Sequence, residues 1–71
     1  MPQNLPASLS VEVRGAVAVL TLDRARKRNA LDTETVLGLE RFFTAVPDGV
    51  RAVVLHGDGD HFCAGLDLSD L

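Results

Sequence analysis

The stretch that most constrains this chain is Ala52-Val53-Val54-Leu55, four apolar residues with no polar break. A strand with one wet face alternates apolar and polar residues. An unbroken apolar run suits a strand covered on both faces, as in a parallel sheet. The residues before it supply a matching crossover. Residues 16–22 are almost wholly apolar and read as a buried strand. Val36, Leu39, Phe43 and Val46 then recur at helical spacing, and Leu37 and Phe42 widen that apolar face. Strand, helix and strand in this order predict a right-handed βαβ unit. A chain of 71 residues with three strands and one full helix cannot cover both faces of such a sheet, so it reads as the first part of a larger α/β fold.

The rest of the chain fits around that unit. Residues 1–7 carry Pro2 and Pro6 and read as an irregular lead-in; residues 8–71 are the folded part. Leu9, Val11 and Val13 alternate with Ser10 and Glu12, which predicts a strand over residues 8–13. Arg14-Gly15 is the expected turn of a hairpin joining it to the strand at 16–22. Asp32 and Thr33 can cap the helix, because their side-chain oxygens accept its first free N–H groups. Gly38 inside that helix costs about 1 kcal/mol against Ala, so a packing reason is expected for it. Pro47-Asp48-Gly49 ends the helix, Gly57-Asp58-Gly59-Asp60 forms a loop, and residues 66–71 can open a further helix.

Composition removes several functional classes. A single cysteine, Cys63, excludes an intrachain disulfide. A net charge of −3 argues against bulk nucleic-acid or anionic-membrane binding. No apolar run approaches the ~20 residues of a membrane span, and no basic region precedes the first apolar stretch, as a signal peptide requires. A reducing, cytoplasmic setting is the default expectation.

Chemistry-bearing residues concentrate at the end of the chain. Residues 56–67 hold both histidines, the only cysteine and three carboxylates. Three readings compete. A metal site has competent ligands, but the spacing fits no established pattern, and none is expected. A catalytic Cys63 would need activation by His61, two residues away; buried packing is the better reading of a lone cysteine. The third reading uses the backbone. Phe62-Cys63-Ala64-Gly65 is a small-residue turn before a possible helix start. Such a turn can aim free N–H groups outward at a developing negative charge.

Three segments carry a family resemblance. Ala18-Val19-Leu20-Thr21-Leu22-Asp23-Arg24 followed by Arg28-Asn29-Ala30-Leu31 resembles the opening of the crotonase (enoyl-CoA hydratase/isomerase) superfamily. Arg51-Ala52-Val53-Val54-Leu55-His56-Gly57-Asp58-Gly59 is similar to its next strand and loop. Phe62-Cys63-Ala64-Gly65-Leu66-Asp67-Leu68 is similar to its Phe-x-x-Gly-x-Asp signature. The resemblance spans residues 9–71 and implies the N-terminal portion of a crotonase (ββα-spiral) fold: a β-hairpin, a helix, then a parallel strand.

The same resemblance implies an acyl-coenzyme A enzyme that stabilises a thioester enolate with two backbone N–H groups. The first donor carries over to the amide of Leu66. Backbone groups of Ala64, Leu66, Asp67 and Leu68 are expected to line the coenzyme A pocket. Arg28, with Lys27 or Arg26 beside it, is expected to meet the coenzyme phosphates, since the planar guanidinium suits phosphate; the plain alternative for this cluster is a solvated loop. Coenzyme A enters as part of the substrate, and no permanent cofactor is implied.

Asp23, Ala25, His56 and Leu66 depart from residues common in the family, and the bulk of Leu66 bears on the acyl pocket. Members are several times longer, so the chain is expected to be the N-terminal stretch of a longer protein, ending near a mobile lid. The second oxyanion donor and the proton-transferring carboxylates of hydratases match nothing in these residues. Hydration of a 2-enoyl-CoA is the default reaction; isomerase or thioester hydrolase chemistry, and a non-catalytic coenzyme A-binding or assembly subunit, are the alternatives. A free-standing small α/β domain without ligand is a third. A homo-oligomer, trimer or hexamer, is expected from the family.

Overall fold

The computed structural model describes residues 5–70; residues 1–4 of the lead-in, and Leu71, lie outside the described part. Strands β1 (Leu9–Arg14) and β2 (Val17–Leu22) form an antiparallel hairpin with Arg14 opposite Val17. The two-residue turn is therefore Gly15-Ala16, one position later than the sequence placed it. Gly15 has φ +60°, a value for which glycine has no steric cost, and this sets the turn.

Helix α1 (Thr33–Thr44) follows, and strand β3 (Ala52–Gly57) returns parallel to β2, giving the sheet order β1-β2-β3. Asp32 caps the helix, its carboxylate accepting from the Thr35 N–H at 2.9 Å. The predicted helix over 66–71 is a single 3-10 turn, Leu68–Asp70.

The core lies between β2 and α1. Ala18 and Leu20 on one face of β2 meet Phe42, all fully buried, and Leu39, Val46, Val53 and Leu55 close around them. The helix face differs from the expectation. Thr35, Gly38 and Phe42 point inward, while Val36, Leu37 and Phe43 are exposed. Gly38 explains the rotation. A Cβ there would lie 2.6 Å from Pro6 Cδ and 2.8 Å from Leu9 Cδ1, so the helix backbone sits directly on these two side chains. Thr35 sits on the same side, its hydroxyl 2.6 Å from that of Ser8. A pattern that counted only large apolar residues missed a contact face made of small and hydroxyl ones.

The sheet also differs from a strand covered on both sides. Val53 and Leu55 face the helix and are half-buried, whereas Ala52, Val54 and His56 point to the open face and are exposed. Within this chain the apolar run has cover on one side only. Among the described residues no helix is long and apolar enough to cross a membrane.

Candidate functional site

The site begins where β2 ends. Asp23 is tied back to Ser8 by a 2.8 Å backbone bond, and the chain then makes a 3-10 turn, Ala25–Lys27. Arg28 and Asn29 follow with φ of 52° and 58°, two successive left-handed residues. Such angles are uncommon outside glycine, and Asn tolerates them better than most.

Asn29 is 1% exposed and fully used. Its own N–H donates to the Arg24 carbonyl at 2.8 Å, and its Oδ1 accepts from the Arg24 N–H at 2.8 Å. Its Nδ2 donates to the carbonyls of Asp58 at 2.9 Å and His61 at 2.7 Å. One buried amide thus stitches the loop after β2 to the loop after β3. Gly57 sits beneath this stitch. A Cβ on it would lie 2.3 Å from the Phe62 carbonyl and 2.4 Å from that of His61, so no side chain fits.

The loop then brings residues 64–68 against Leu31. Leu31 and Leu66 form an isolated parallel bridge. The Leu31 N–H donates to the Gly65 carbonyl, and the Asp67 N–H donates to the Leu31 carbonyl, each at 2.8 Å. Peptide groups alternate in direction along an extended segment. With the groups on either side of Leu66 turned toward Leu31, the N–H of Leu66 itself points the other way. Among the described residues it has no hydrogen-bond partner. Gly65, with φ +94°, makes the bend that delivers this geometry.

The Arg24 guanidinium lies beside the bridge. Nη1 donates to the Ala30 carbonyl, and Nη2 donates to Asp67 Oδ2 at 3.1 Å and lies 3.7 Å from Asp32 Oδ2. Its side chain is 18% exposed, against 12% for Asp67 and 24% for Asp32. The Ser69 hydroxyl, and then Arg24, hold the Asp67 carboxyl below the usual carboxylate range. The Thr35 hydroxyl and N–H do the same for Asp32. Both carboxylates are therefore fixed, ionised acceptors rather than groups poised to exchange protons. Asp70 is similarly engaged, accepting from the N–H and hydroxyl of Thr33 at 2.6 and 2.7 Å.

The residues singled out by the sequence fall into two groups. Ala64, Leu66 and Leu68 are exposed on one short segment, and no partner for the Ala64 N–H occurs among the described residues. Asp67 is different: its N–H and carbonyl are taken by Leu31 and Asp70, and its carboxylate by Arg24 and Ser69. Its backbone is already committed within the chain. Arg28, Lys27 and Arg26 are exposed, and the latter two line an open basin of about 650 Å3 with Asp23 and Asp58. A smaller hollow of about 160 Å3 lies between α1 and residues 66–70, walled by Leu31, Val36, Leu37 and Leu66. Cys63 is half-buried, its sulfur 3.4 Å from the Gly65 N–H.

Two residues escaped sequence reasoning. Arg24 drew no role of its own from the sequence, yet of the four cations in residues 24–28 it is the one turned inward, while Arg26, Lys27 and Arg28 are exposed. Asn29 carried a signal of its own, a short amide in a turn that tolerates left-handed angles, but nothing local showed that its partners lie about thirty residues on.

The enoyl-CoA hydratase/isomerase family profile matches residues 12–71. A Mycobacterium tuberculosis protein assigned as an enoyl-CoA hydratase is 46% identical over 55 residues, 76% of this chain and 23% of that protein. The 3-hydroxyisobutyryl-CoA hydrolase 1 of Arabidopsis thaliana is 38% identical over 61 residues, 83% of this chain and 16% of its own length. Among solved structures, a Thermobifida fusca protein assigned as an enoyl-CoA hydratase, in complex with acetoacetyl-CoA, superposes with a TM-score of 0.83 at 38% identity. That match covers 89% of this chain and 25% of the other. The chain thus spans a quarter or less of the length of these relatives. The profile match over most of the residues, and the matching strand-helix-strand frame, establish that this chain belongs to the enoyl-CoA hydratase/isomerase (crotonase) family.

Proposed function

We propose that this chain forms the part of an acyl-coenzyme A enzyme in which the Leu66 amide is one donor of an oxyanion hole, with hydration of a 2-enoyl-CoA as the reaction. One observation carries the reading: the Leu31 bridge orients the peptide groups flanking Leu66 and leaves the Leu66 N–H outward, without a partner among the described residues. When water adds to the β-carbon of an enoyl thioester, negative charge gathers on the thioester oxygen. A fixed N–H aimed at that oxygen stabilises the enolate more than the ground state, and needs no reorganisation to do so. Bound acetoacetyl-CoA in the Thermobifida fusca structure supports the substrate class.

Coenzyme A would reach the site along residues 64–68, and the exposure of Arg28 leaves its guanidinium free to meet the coenzyme phosphates. The Asp67 carboxylate is engaged by Arg24 and Ser69 and that of Asp70 by Thr33, which supports leaving proton transfer to groups beyond these residues. The exposed Val36, Leu37 and Phe43 of α1 and Val54 of β3 are where the remainder of the protein, or further copies in a trimer or hexamer, would pack.

The test is Leu66→Pro, which deletes the amide hydrogen and keeps an apolar side chain. Leu66→Ala, which keeps the hydrogen, is its control. Loss of enoyl thioester absorbance measures turnover. The proline variant should lose about 10²–10³-fold in kcat, with the alanine variant near wild type. Equal activity of a folded proline variant would refute the assignment.

A further inference from the structure

We propose that Arg24 is a positioning residue that holds the Leu66 peptide in place by clamping both sides of the Leu31–Leu66 bridge. The bridge alone is weak. It consists of two backbone hydrogen bonds, lies outside the sheet, and follows a glycine at φ +94°. Such bonds are individually modest in net strength because water competes for both partners, so the bridge orients the Leu66 peptide but leaves it room to move.

The guanidinium supplies what the bridge lacks. Its three partners are the residues that flank the bridge: Ala30 and Asp32 on either side of Leu31, and Asp67 immediately after Leu66. One rigid, planar group therefore spans both segments. Its own backbone is fixed twice over by Asn29, through the Arg24 N–H and the Arg24 carbonyl. The pair with Asp67 is largely shielded from water, where a charge-assisted bond is stronger and less screened by salt than on an open surface. A lysine could not replace it, because a single ammonium on a flexible stem does not present two separated donors to acceptors on two segments.

The catalytic consequence rests on the oxyanion reading proposed above; the clamp does not, and the two are separately measurable. In the natively expressed protein, Arg24→Gln and Arg24→Lys are compared with wild type by amide hydrogen exchange without ligand. The amides of Leu31 and Asp67 donate the two bridge bonds and report the clamp directly. Their exchange should quicken at least about tenfold in both variants, with the β2–β3 amides unchanged. Unchanged exchange at Leu31 and Asp67 would overturn the proposal. A uniform rise over β2 and β3 would overturn it too, since Arg24 would then act on global stability alone.

Turnover gives the second readout. A donor displaced by a fraction of an ångström should lower kcat about 10–100-fold with little change in KM. In a cycle with Asp67→Asn the two losses should be less than additive, because both break one contact. Additive losses would overturn the clamp. Faster bridge exchange in a protein whose wild type does not turn over enoyl-CoA would uphold the clamp and sink the oxyanion reading.

Discussion

Asn29 offers the sharpest test of how the site is held, because one substitution removes three bonds and the next turns two of them from attractive to repulsive. In Asn29→Ala the Arg24 N–H and the carbonyls of Asp58 and His61 lose their side-chain partner at a position that is 1% exposed. Each is worth about 1 kcal/mol net, and more where the orphan stays dry. Alanine must also hold φ near +58°, which costs about 1 kcal/mol more than Asn. The expected loss is about 3–5 kcal/mol, read as a lower urea midpoint by far-ultraviolet circular dichroism. Asn29→Asp keeps the shape, the left-handed tolerance and the acceptor for the Arg24 N–H. It replaces the amide nitrogen with an oxygen facing two carbonyl oxygens. The new carboxyl is therefore stable in the fold mainly when protonated, since only then can it donate to one of them. Its folded pKa lies above the unfolded value of about 3.9, so its stability relative to wild type should be highest at acid pH and fall as pH rises through the folded pKa. An Asn29→Asp variant whose difference from wild type does not change with pH, or an Asn29→Ala variant within about 1 kcal/mol of wild type, would refute this account of the loop junction.

The remaining predictions probe close backbone approach and charge. Gly57→Ala should lower the urea midpoint more than Gly38→Ala. The first Cβ meets backbone carbonyls that cannot move without breaking the Asn29 bonds, while the second meets Pro6 and Leu9 side chains; the reverse order would contradict the packing described. Asp32 and Asp67 both have carboxyl pKa values below the usual range, so their stabilising effect is present above the unfolded value and lost as pH falls through the folded values. Asp32→Asn keeps a capping oxygen for the Thr35 N–H but removes the titrating carboxyl, so it should flatten the acid limb of the stability profile. An acid limb as steep as wild type would exclude Asp32 as a contributor.

Local pattern made the strands and the cap at Asp32 legible, because each depends on neighbours within a few residues; for Gly38 it showed that a packing reason was needed, not that Pro6 and Leu9 supply it. The inner face of α1 was not. Gly38 and Thr35 face the core through close approach and a hydroxyl contact with Ser8, while Val36 and Phe43 look outward. Periodicity weighs residues by hydrophobicity, and here contact is decided by smallness on one side and by cover missing from this chain on the other. The same limit explains Arg24. Among four cations in five residues, only tertiary placement of Asp32 and Asp67 separates the inward one from the solvated three.

Leu66, in the donor role proposed for it, poses a different problem of legibility. An amide donor exerts no demand on its own side chain, so the residue that carries it need leave no mark at its position. The marks fall on its supports instead. Gly65 must take φ +94°, Gly57 must be bare, Asn29 must bond three ways, and Arg24 must reach both sides of the bridge. A sequence motif read as a catalytic signature is, on this view, largely the record of what orients one peptide bond. It follows that substitutions at these supports should weaken the donor in proportion to how far they let the Leu66 peptide move. Substitutions of the Leu66 side chain should act separately, through the 160 Å3 hollow it walls with Val36 and Leu37, on which acyl groups fit rather than on how fast an accepted one reacts.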